Sequence, residues 1–454
     1  MIQTVNPYNE EIIASYEEMT DADASKCIND VYAAYKLNRA KSISERALLM
    51  KNAAKILRND LEYFSRLMTI EMGKPIQQAK GEAEKCAWVC DYYAENAEEM
   101  LSDQVVATDA SKSFVTFQPI GIVLGIMPWN FPFWQVFRFA VPSILAGNAA
   151  ILKHASNVTG CALAIERIFL EAGFPENTFK TFVLPVSRVS SLIANPLIKA
   201  VTLTGSTSAG RNVASAAGQN IKKTVLELGG SDPYIILKDA NIDEAVSACV
   251  TSRLINNGQS CINAKRFIVC REVYDEFVSK IVDLMSHKSI GDPMLETTAL
   301  GPLARKDLLE QVDAQVQKSI KKGAKLHTGG RHQTEKGYFY DATVLDNVMP
   351  GMPAYDDEIF GPVAAVIKAK SENEAIDIAN DSVFGLGAAV FTSDIEKGEW
   401  IAKTQIQAGS CFVNDFVRSD PRLPFGGIRE SGYGRELSAF GIKEFVNIKT
   451  VYIR

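Results

Sequence analysis

Two side chains stand out as candidates for chemistry, a cysteine in a small polar loop and a carboxylate at the end of an apolar run. Cys261 lies in NNGQSCINAKR, so its thiol is expected to be more exposed than that of Cys270 in the apolar run RFIVC. An accessible thiolate is a nucleophile, although a free structural cysteine explains the same pattern. Glu227 lies near the end of TVLELGG, where a carboxylate is unexpected without a partner or a function. The four histidines lie in no comparable loop, which disfavours a Cys–His pair.

An asparagine and a glycine-containing turn follow two of the predicted strands. Asn130 lies between Pro128 and Pro132, directly after GIVLGI, and the prolines fix the backbone around it. A rigidly held amide is a good donor to an oxyanion, and an Asx-type turn is the structural alternative. The turn GSTSAG at 205–210 precedes a predicted helix, where backbone N–H groups favour an anion. It matches neither common phosphate-binding motif, so an ordinary strand–turn–helix connection explains it equally well.

Predicted strands and helices alternate along the part of the chain that carries these residues. Residues 17–104 have helical spacing, whereas short apolar runs after Pro119 alternate with amphipathic segments. One alternating series runs to Gly230 and a second follows it, which is typical of βαβ units and mostly parallel sheets. Ligand sites in such sheets lie at the carboxyl ends of the strands, where Asn130 is expected. The final segment, 446–454, is predicted to be a strand that needs a partner in this chain or in another subunit, and oligomerisation is the favoured solution.

The predicted strands of the first series are 121–126, 149–153, 181–185, 199–205 and 223–228, and those of the second are 234–238, 266–270, 364–368 and 387–391. The predicted helices between them include 133–146, 158–172, 188–194, 207–218, 273–288 and 371–381. The last of these begins with Ser371 and Glu374, which predicts a capping box.

Composition and charge argue against several classes of protein. The 454 residues correspond to about three domain-sized units. A net charge of −6 without a long basic block argues against nucleic-acid binding. Three prolines interrupt the uncharged stretch between Lys112 and Arg138, so we expect no membrane span. Eight scattered cysteines without CxxC spacing predict no metal site, and with no visible secretory signal they favour a cytoplasmic protein.

Seven motifs, in order along the chain, resemble the aldehyde dehydrogenase superfamily. They are PWNFP (128–132), the lysine of ILKHAS (151–156), TGSTSAG (204–210), LELGG (226–230), GQSC (258–261), EIFGP (358–362) and PFGGIRESGYGRE (424–436). The resemblance covers essentially the whole chain and implies an α/β fold of two α/β lobes with parallel sheets. The implied parts are a variant Rossmann NAD(P)-binding domain (1–100 and 120–229), a catalytic domain (230–430) and a small β oligomerisation element (101–119 and 437–454). The resemblance also implies a homodimer or homotetramer.

The resemblance assigns the catalytic roles. Cys261 would attack an aldehyde carbonyl, and the Asn130 amide with the Cys261 backbone N–H would hold the oxyanion of the thiohemiacetal. After hydride transfer to the nicotinamide ring, Glu227 would act as general base on the water that hydrolyses the thioester. We expect burial to raise the pKa of Glu227 toward neutrality. Because Glu227 is present, a CoA-acylating activity is disfavoured, and retention of all three residues disfavours a non-enzymatic role.

The resemblance also implies a cofactor site. The implied cofactor-binding residues are Trp129, Asn130, Lys153, Ser156, Gly205, Ser206, Thr207, Leu228, Glu358 and Phe360. Many NAD-preferring relatives carry a glutamate at the position of Ser156. A serine does not repel a 2′-phosphate, and Lys153 can pair with one, so we predict NADP as cofactor, alone or alongside NAD.

The segments KHASN and WQVFR resemble the short succinate-semialdehyde dehydrogenases. Arg138 lies on the helix expected to line the substrate tunnel, and a cation among aromatic residues is costly without an anionic partner. The distal carboxylate of the substrate is one such partner, and a local carboxylate is the alternative. The implied substrate residues are Arg138, Trp134 and Ser419, with Arg418 a weaker candidate. The alternative substrates are other semialdehydes and neutral aliphatic aldehydes.

Overall fold

The computed structural model describes residues 1–332 and 336–454. Its strands are β1 Ile2–Val5, β2 Ile12–Tyr16, β3 Gln104–Val105, β4 Lys112–Pro119, β5 Ile122–Met127, β6 Ala149–His154, β7 Phe179–Thr181, β8 Ile198–Thr204, β9 Lys223–Glu227, β10 Asp232–Ile236, β11 Ala264–Cys270, β12 Lys325–Thr328, β13 Thr343–Asp346, β14 Val363–Ala369, β15 Gly387–Phe391, β16 Ser410–Val413, β17 Gly432–Tyr433 and β18 Val446–Ile453.

Its α-helices are α1 Asp21–Ala40, α2 Ile43–Asn59, α3 Leu61–Met72, α4 Ile76–Met100, α5 Trp134–Leu145, α6 Thr159–Glu171, α7 Val189–Ala194, α8 Thr207–Gln219, α9 Ile242–Leu254, α10 Tyr274–Ser286, α11 Lys306–Lys321, α12 Pro353–Asp356, α13 Glu372–Asn380, α14 Ile395–Thr404 and α15 Ser438–Ile442. Short 3₁₀ turns cover Ser156–Val158, Val186–Arg188, Ile255–Gly258 and Arg429–Ser431.

A six-stranded sheet forms the first lobe, with strand order β17-β9-β8-β5-β6-β7. All neighbouring pairs are parallel except β17 with β9. Strands β5 and β6 are apolar and almost wholly buried along their length, as expected of strands covered by helices on both faces. The segments after β5, β6, β8 and β9 therefore meet at one edge of the sheet.

A seven-stranded sheet forms the second lobe, in the order β12-β13-β14-β11-β10-β15-β16. Its pairs are parallel except β12 with β13. The chain passes from the carboxyl end of β9 to the start of β10 within a few residues. Cys261 lies just before β11, so the start of this second sheet faces the end of the first.

The C-terminal strand β18 pairs along its full length with β4 of the same chain, and β3 completes the three-stranded sheet. The expected partner of the terminal strand is therefore within the chain. The other edge of β18 has no strand beside it among the described residues. Ile448, Tyr452 and Ile453 on this strand are exposed.

Most predicted elements are found within a residue or two of their expected ends. The hairpin of β1 and β2 was not predicted because its first strand alternates weakly and is only four residues long. Strands β12, β13 and β16 and helices α9 and α14 were not predicted either. The run 181–185 is a strand only at Thr181, where β7 ends. The predicted capping box of α13 is only half formed: the Ser371 hydroxyl accepts the Glu374 N–H, but the Glu374 carboxylate accepts the N–H of Lys370 instead. In the described parts of the chain, no helix has the length and apolar character needed to cross a membrane.

Candidate active site

A cavity of about 380 Å³ opens at the carboxyl ends of β5, β8 and β9. Seven of the ten predicted cofactor residues line it, namely Trp129, Asn130, Gly205, Ser206, Leu228, Glu358 and Phe360. The indole of Trp129 meets the ring of Phe360 edge-on, with centroids 5.8 Å apart. Cys261 also lines this cavity. We refer to it below as the cofactor cavity.

The start of α8 faces the cofactor cavity through Ser206. The Ser206 hydroxyl accepts the N–H of Ala209 at 3.3 Å, so it caps the helix. The positive end of this 13-residue helix favours a negatively charged group in the cavity. Gly210 lets the helix approach the sheet, because a Cβ there would lie 2.5 Å from the Leu228 Cδ1 atom. A larger residue would push Leu228 out of its place in the cavity wall.

The remaining predicted cofactor residues are Lys153, Ser156 and Thr207, and they lie outside the lining of this cavity. Lys153 is buried near the carboxyl end of β6, and burial lowers its pKa. No carboxylate pairs with it in the described part of the chain. Ser156 is exposed and begins the short 3₁₀ turn that follows. Thr207 donates its hydroxyl to the Glu430 carbonyl at 3.4 Å.

Glu358 is held by the segment that joins the two lobes. Its Oε1 accepts the N–H of Gly230 at 3.0 Å and lies 3.4 Å from the Nζ of Lys265. Lys265 in turn donates to the carbonyls of Ser260 and Cys261 at 3.0 and 2.7 Å. The buried Lys265 therefore fixes Glu358 and the nucleophile loop relative to each other.

The loop around Cys261 is held by an amide network. The side chain of Asn256 donates to the carbonyls of Asn130 and Gln259, at 2.6 and 3.0 Å. Asn130 donates its own amide to the Gln259 carbonyl at 3.1 Å. The adjacent residues Asn256 and Asn257 have φ of 55° and 58°, a left-handed conformation that asparagine tolerates better than most residues. The network places the predicted oxyanion donor beside the predicted nucleophile.

The geometry after β5 depends on two further side chains. Glu82 on α4 accepts the N–H groups of Phe133 and Trp134, both at 2.9 Å, and its other oxygen pairs with the buried Lys74. It thereby satisfies two of the N–H groups that begin α5. The two ring nitrogens of His154 face two backbone carbonyls, with Nδ1 3.1 Å from that of Met127 and Nε2 2.9 Å from that of Pro132. Burial lowers the His154 pKa to about 4, so this ring is neutral and structural.

The thiol of Cys261 is protonated in this arrangement. Burial raises its pKa to about 12, although the nearby cations of Arg138 and Lys265 act in the opposite direction. The attacking thiolate must therefore be generated during the reaction.

A second cavity, of about 290 Å³, lies on the other side of Cys261. We refer to it as the aldehyde cavity. Its walls come from α4, α5, the loop of Cys261 and the segment before Phe425. It contains all three predicted substrate residues, Arg138, Trp134 and Ser419. Arg418 lines its rim but is exposed and pairs with Asp415 at 2.7 Å.

Arg138 is paired with a local carboxylate, which was the alternative partner expected for this residue. Its Nε lies 2.7 Å from the Oε2 of the buried Glu436, and its guanidinium packs 4.5 Å from the Phe425 ring centroid. The Nη2 atom is buried and has no hydrogen-bond partner among the described residues. The guanidinium therefore keeps donor capacity for a further anion.

Glu227 is buried, but it does not line either cavity in this structure. Its carboxylate lies beside Gly426, where a Cβ would be 2.7 Å from Oε1. Neither oxygen has a hydrogen-bond partner within the described ranges. Burial and the nearby Glu436 raise the pKa of Glu227 well above its ordinary value, while Arg138 acts against this. The direction agrees with the prediction, and a side-chain rotation is needed before Glu227 can act next to Cys261.

A sequence profile described as the aldehyde dehydrogenase family matches residues 1–451. The chain belongs to the aldehyde dehydrogenase family. A probable succinate-semialdehyde dehydrogenase [NADP(+)] of Synechocystis is 47% identical over 452 residues, covering 100% of this chain and 99% of that protein. A succinate-semialdehyde dehydrogenase [NADP(+)] of Mycobacterium leprae is 45% identical over 456 residues, with 100% and 99% coverage. The family resemblance carried by the seven motifs is thus confirmed.

Solved structures confirm the predicted fold class. The succinic semialdehyde dehydrogenase of Streptococcus pyogenes, solved with NADP+ as the cofactor, matches with a TM-score of 0.97. The two proteins are 38% identical, and the match covers all of both chains. The arrangement of two α/β lobes with mostly parallel sheets is therefore that of this family.

Four residues of this aldehyde dehydrogenase site were not predicted from its sequence. Lys265 lies in the stretch NNGQSCINAKR, and Glu436 is the last residue of PFGGIRESGYGRE. Both are buried, so a charged residue next to a candidate site could have indicated them. Arg305 lines the cofactor cavity, 5.8 Å from the Trp129 ring centroid, and precedes a helix without any distinctive pattern. Lys85 lines the aldehyde cavity from the middle of α4, where its sequence surroundings are those of an ordinary helix.

Proposed function

We propose that this chain oxidises succinate semialdehyde to succinate with NADP as the cofactor, through a thiohemiacetal and a thioester on Cys261. One observation carries the proposal. Cys261 lines both cavities, so it is the residue at which an aldehyde and a cofactor can meet. The names of the Synechocystis and Mycobacterium relatives and of the Streptococcus structure support the substrate and the cofactor.

In the first step the Cys261 thiol loses its proton to water, its sulfur forms a bond to the aldehyde carbon, and the carbonyl electron pair moves to oxygen. The Asn130 amide is positioned against the nucleophile loop, where it can donate to that oxyanion together with the Cys261 N–H. Because Gln259 and Asn256 fix this geometry, little reorganisation is needed as the charge develops.

The residues of the cofactor cavity fit a nicotinamide dinucleotide. The start of α8 offers positive potential for a pyrophosphate, and Trp129 and Phe360 offer apolar surface for a ring. Gly229 leaves room for Glu358, since a Cβ there would lie 2.6 Å from the Glu358 Oε2. A bound nicotinamide ring would supply the hydride acceptor for the carbon that Cys261 holds, which would leave a thioester on Cys261.

We assign the hydrolysis of the thioester to Glu227. As a general base it would remove a proton from water, whose oxygen adds to the thioester carbon before the Cys261 thiolate leaves. The raised pKa of Glu227 suits proton uptake near neutral pH. The Arg138–Glu436 pair forms part of the charged environment of that carboxylate.

The preference for NADP over NAD rests on two residues at the end of β6. Ser156 places no negative charge at the position of the 2′-phosphate, and Lys153 is a buried cation without a paired carboxylate among the described residues. A phosphate dianion would supply the missing counter-charge.

The preference for a carboxylated aldehyde rests on Arg138 and Ser419. The free Nη2 of Arg138 and the hydroxyl of Ser419 lie in the wall of the aldehyde cavity. Other semialdehydes and neutral aliphatic aldehydes are the alternative substrates. No separate observation favours them.

We further propose the domain division given by the resemblance, with the three-stranded sheet as the oligomerisation element of a homodimer or homotetramer. The exposed apolar side chains of β18 support this assignment. All eight cysteines are free, which supports work in a reducing cytoplasm. The mildly acidic charge gives no support to a nucleic-acid partner.

The test is a steady-state comparison of succinate semialdehyde, butanal and 4-aminobutanal with NADP and with NAD. We expect the highest kcat/KM for succinate semialdehyde with NADP, and free succinate rather than an acyl-CoA as product. The Arg138→Lys variant keeps a cation for Glu436 but loses the guanidinium fork, so its KM for succinate semialdehyde should rise while that for butanal changes little. Equal kcat/KM for butanal and succinate semialdehyde in the unaltered enzyme would refute the substrate assignment.

A further inference from the structure

Lys85 lies in the wall of the aldehyde cavity, on α4. Its Nζ donates to the Ser419 Oγ at 2.9 Å and lies 4.4 Å from the centroid of the Trp134 ring. The Trp134 indole N–H donates to the same Ser419 oxygen at 3.1 Å. Three side chains from separate segments therefore converge on one hydroxyl oxygen.

The hydrogen bonds that Ser419 makes leave its hydroxyl hydrogen available to donate. A serine hydroxyl has two acceptor lone pairs and one donor hydrogen. An ammonium group and an indole N–H can only donate, so Lys85 and Trp134 occupy both lone pairs. No acceptor is found for the Ser419 hydrogen among the described residues. That hydrogen is free to donate to an acceptor in the cavity.

The charge of Lys85 is not neutralised by its protein surroundings. No carboxylate lies within ion-pair distance of its Nζ in the described part of the chain. The two nearby acids are engaged elsewhere: Asp420 pairs with Arg422 at 2.7 Å, and Glu82 pairs with Lys74. The other charged group facing it is the cation of Arg138. Lys85, Arg138 and Arg418 thus line one cavity, and the one carboxylate in its described lining, that of Glu82, is paired with Lys74.

We infer that Lys85 is a specificity-determining residue, whose ammonium group binds the distal carboxylate of the aldehyde together with the Arg138 guanidinium and the Ser419 hydroxyl. This inference rests on the proposed function, since it concerns the same substrate in the same cavity. An anionic carboxylate would accept from all three groups and would reduce the repulsion between the two cations. The ligand class that fits is an aldehyde with a carboxylate at its far end.

The electrostatics give the inference a pH signature. Burial lowers the pKa of Lys85 to about 8, and the Arg138 cation adds to this, while Cys86, Asp420 and Glu82 act in the opposite direction. In the free enzyme the ammonium form therefore predominates below pH 8 and is lost as the pH rises above it. The ratio of kcat/KM for succinate semialdehyde to that for butanal should fall above pH 8. Titration of Cys261 and Glu227 affects both substrates and cancels in this ratio.

The experiment compares Lys85→Met and Lys85→Arg with the unaltered enzyme, using succinate semialdehyde and the neutral four-carbon aldehyde butanal. Methionine keeps the packing on Trp134 but removes the charge. The KM for succinate semialdehyde should rise on the order of tenfold in Lys85→Met, and that for butanal by less than about twofold. Lys85→Arg should recover most of the loss, and its kcat/KM ratio should stay flat above pH 8, because arginine remains charged.

A matched control is Lys80→Met on the same helix. Lys80 pairs with Glu62 and Glu296 at the surface and lies outside the aldehyde cavity. Both KM values should stay at their original level in this variant. A selective rise in KM for succinate semialdehyde in Lys80→Met would show that the effect of Lys85→Met is not local, and would overturn the inference.

The remaining outcomes separate this inference from the proposed function. If the unaltered enzyme does not prefer succinate semialdehyde over butanal, the proposed function fails. If that preference exists and survives in Lys85→Met, or if both substrates lose equally, Lys85 is a packing residue and the inference fails alone. If Lys85→Met does not fold, the Lys85→Gln variant takes its place, and a preference for succinate semialdehyde that survives in that variant contradicts the inference.

Discussion

The cofactor cavity and the aldehyde cavity share Cys261 but are built in different ways. About half of the residues that line the cofactor cavity lie at or directly after the ends of β5, β8 and β9, which are neighbouring parallel strands of one sheet. The aldehyde cavity is assembled from α4, α5, the Cys261 loop and a segment near residue 419, which are far apart in sequence. The first site therefore follows from local motifs, and the second depends on how helices and loops pack.

This difference affects how each site tolerates change. A strand end is fixed by hydrogen bonds on both sides, so a substitution there alters the ligand contact but not its position. A helix-lined wall is positioned by side-chain packing, so one substitution can shift several contacts. Four variants test whether the two cavities are independent.

The variant Cys261→Ser should affect both cavities, because among the described residues Cys261 is the one that lines both. A hydroxyl is a far weaker nucleophile than a thiolate, so kcat should fall on the order of 10³-fold or more. The measurement is steady-state formation of NADPH. Binding of NADP, followed by fluorescence quenching, serves as the control and should be nearly unchanged. Turnover at the original rate would disprove the role of the cysteine and the mechanism built on it.

The variant Glu227→Gln should separate the two half-reactions. Hydride transfer precedes hydrolysis, so one equivalent of NADPH should form rapidly, while steady-state turnover falls on the order of 10²-fold. Rapid mixing resolves the burst from the steady state. The added amide is close in size to the carboxylate, so a loss of stability is not expected to explain the result. An unchanged steady-state rate would exclude Glu227 as the base.

The variant Ser156→Glu should affect only the cofactor side. A carboxylate near the 2′-phosphate repels it and can accept a ribose hydroxyl, so the KM for NADP should rise about tenfold and that for NAD should fall. The KM for succinate semialdehyde at saturating cofactor should not change. Ser156→Gln is the matched control without the charge. If both variants behave alike, charge at this position does not set cofactor choice.

The variant Trp134→Phe should affect only the aldehyde side, and modestly. It removes the indole N–H that binds Ser419 at 3.1 Å but keeps an aromatic wall. Loss of one neutral hydrogen bond of about 1 kcal/mol corresponds to a KM for succinate semialdehyde raised about fivefold. The KM for NADP, measured in parallel, should stay the same. A larger change in the KM for NADP than for the aldehyde would show that the cavities are coupled.

The local patterns of the sequence were sufficient for the strands that carry the cofactor cavity. Apolar runs such as GIVLGI and AAILK are buried along their length, so their pattern alone predicts central strands of a parallel sheet. The position of Asn130 after β5 follows from this pattern, and that of Cys261 from its polar loop. The short hairpin of β1 and β2 was missed because four- and five-residue strands give little periodic signal.

Local sequence patterns were enough to predict the type and order of the chemical groups. These are a loop cysteine, a carboxylate at a strand end, an amide between two prolines, and a turn that begins a helix. Their charged surroundings depend on the tertiary structure. It placed Glu436 beside Arg138, turned Glu227 toward Gly426, and brought Lys85 to Ser419. The physical reason is the distance over which each of these effects acts. Backbone periodicity acts over a few residues, whereas burial and Coulomb interactions depend on distance in space, which folding alone sets.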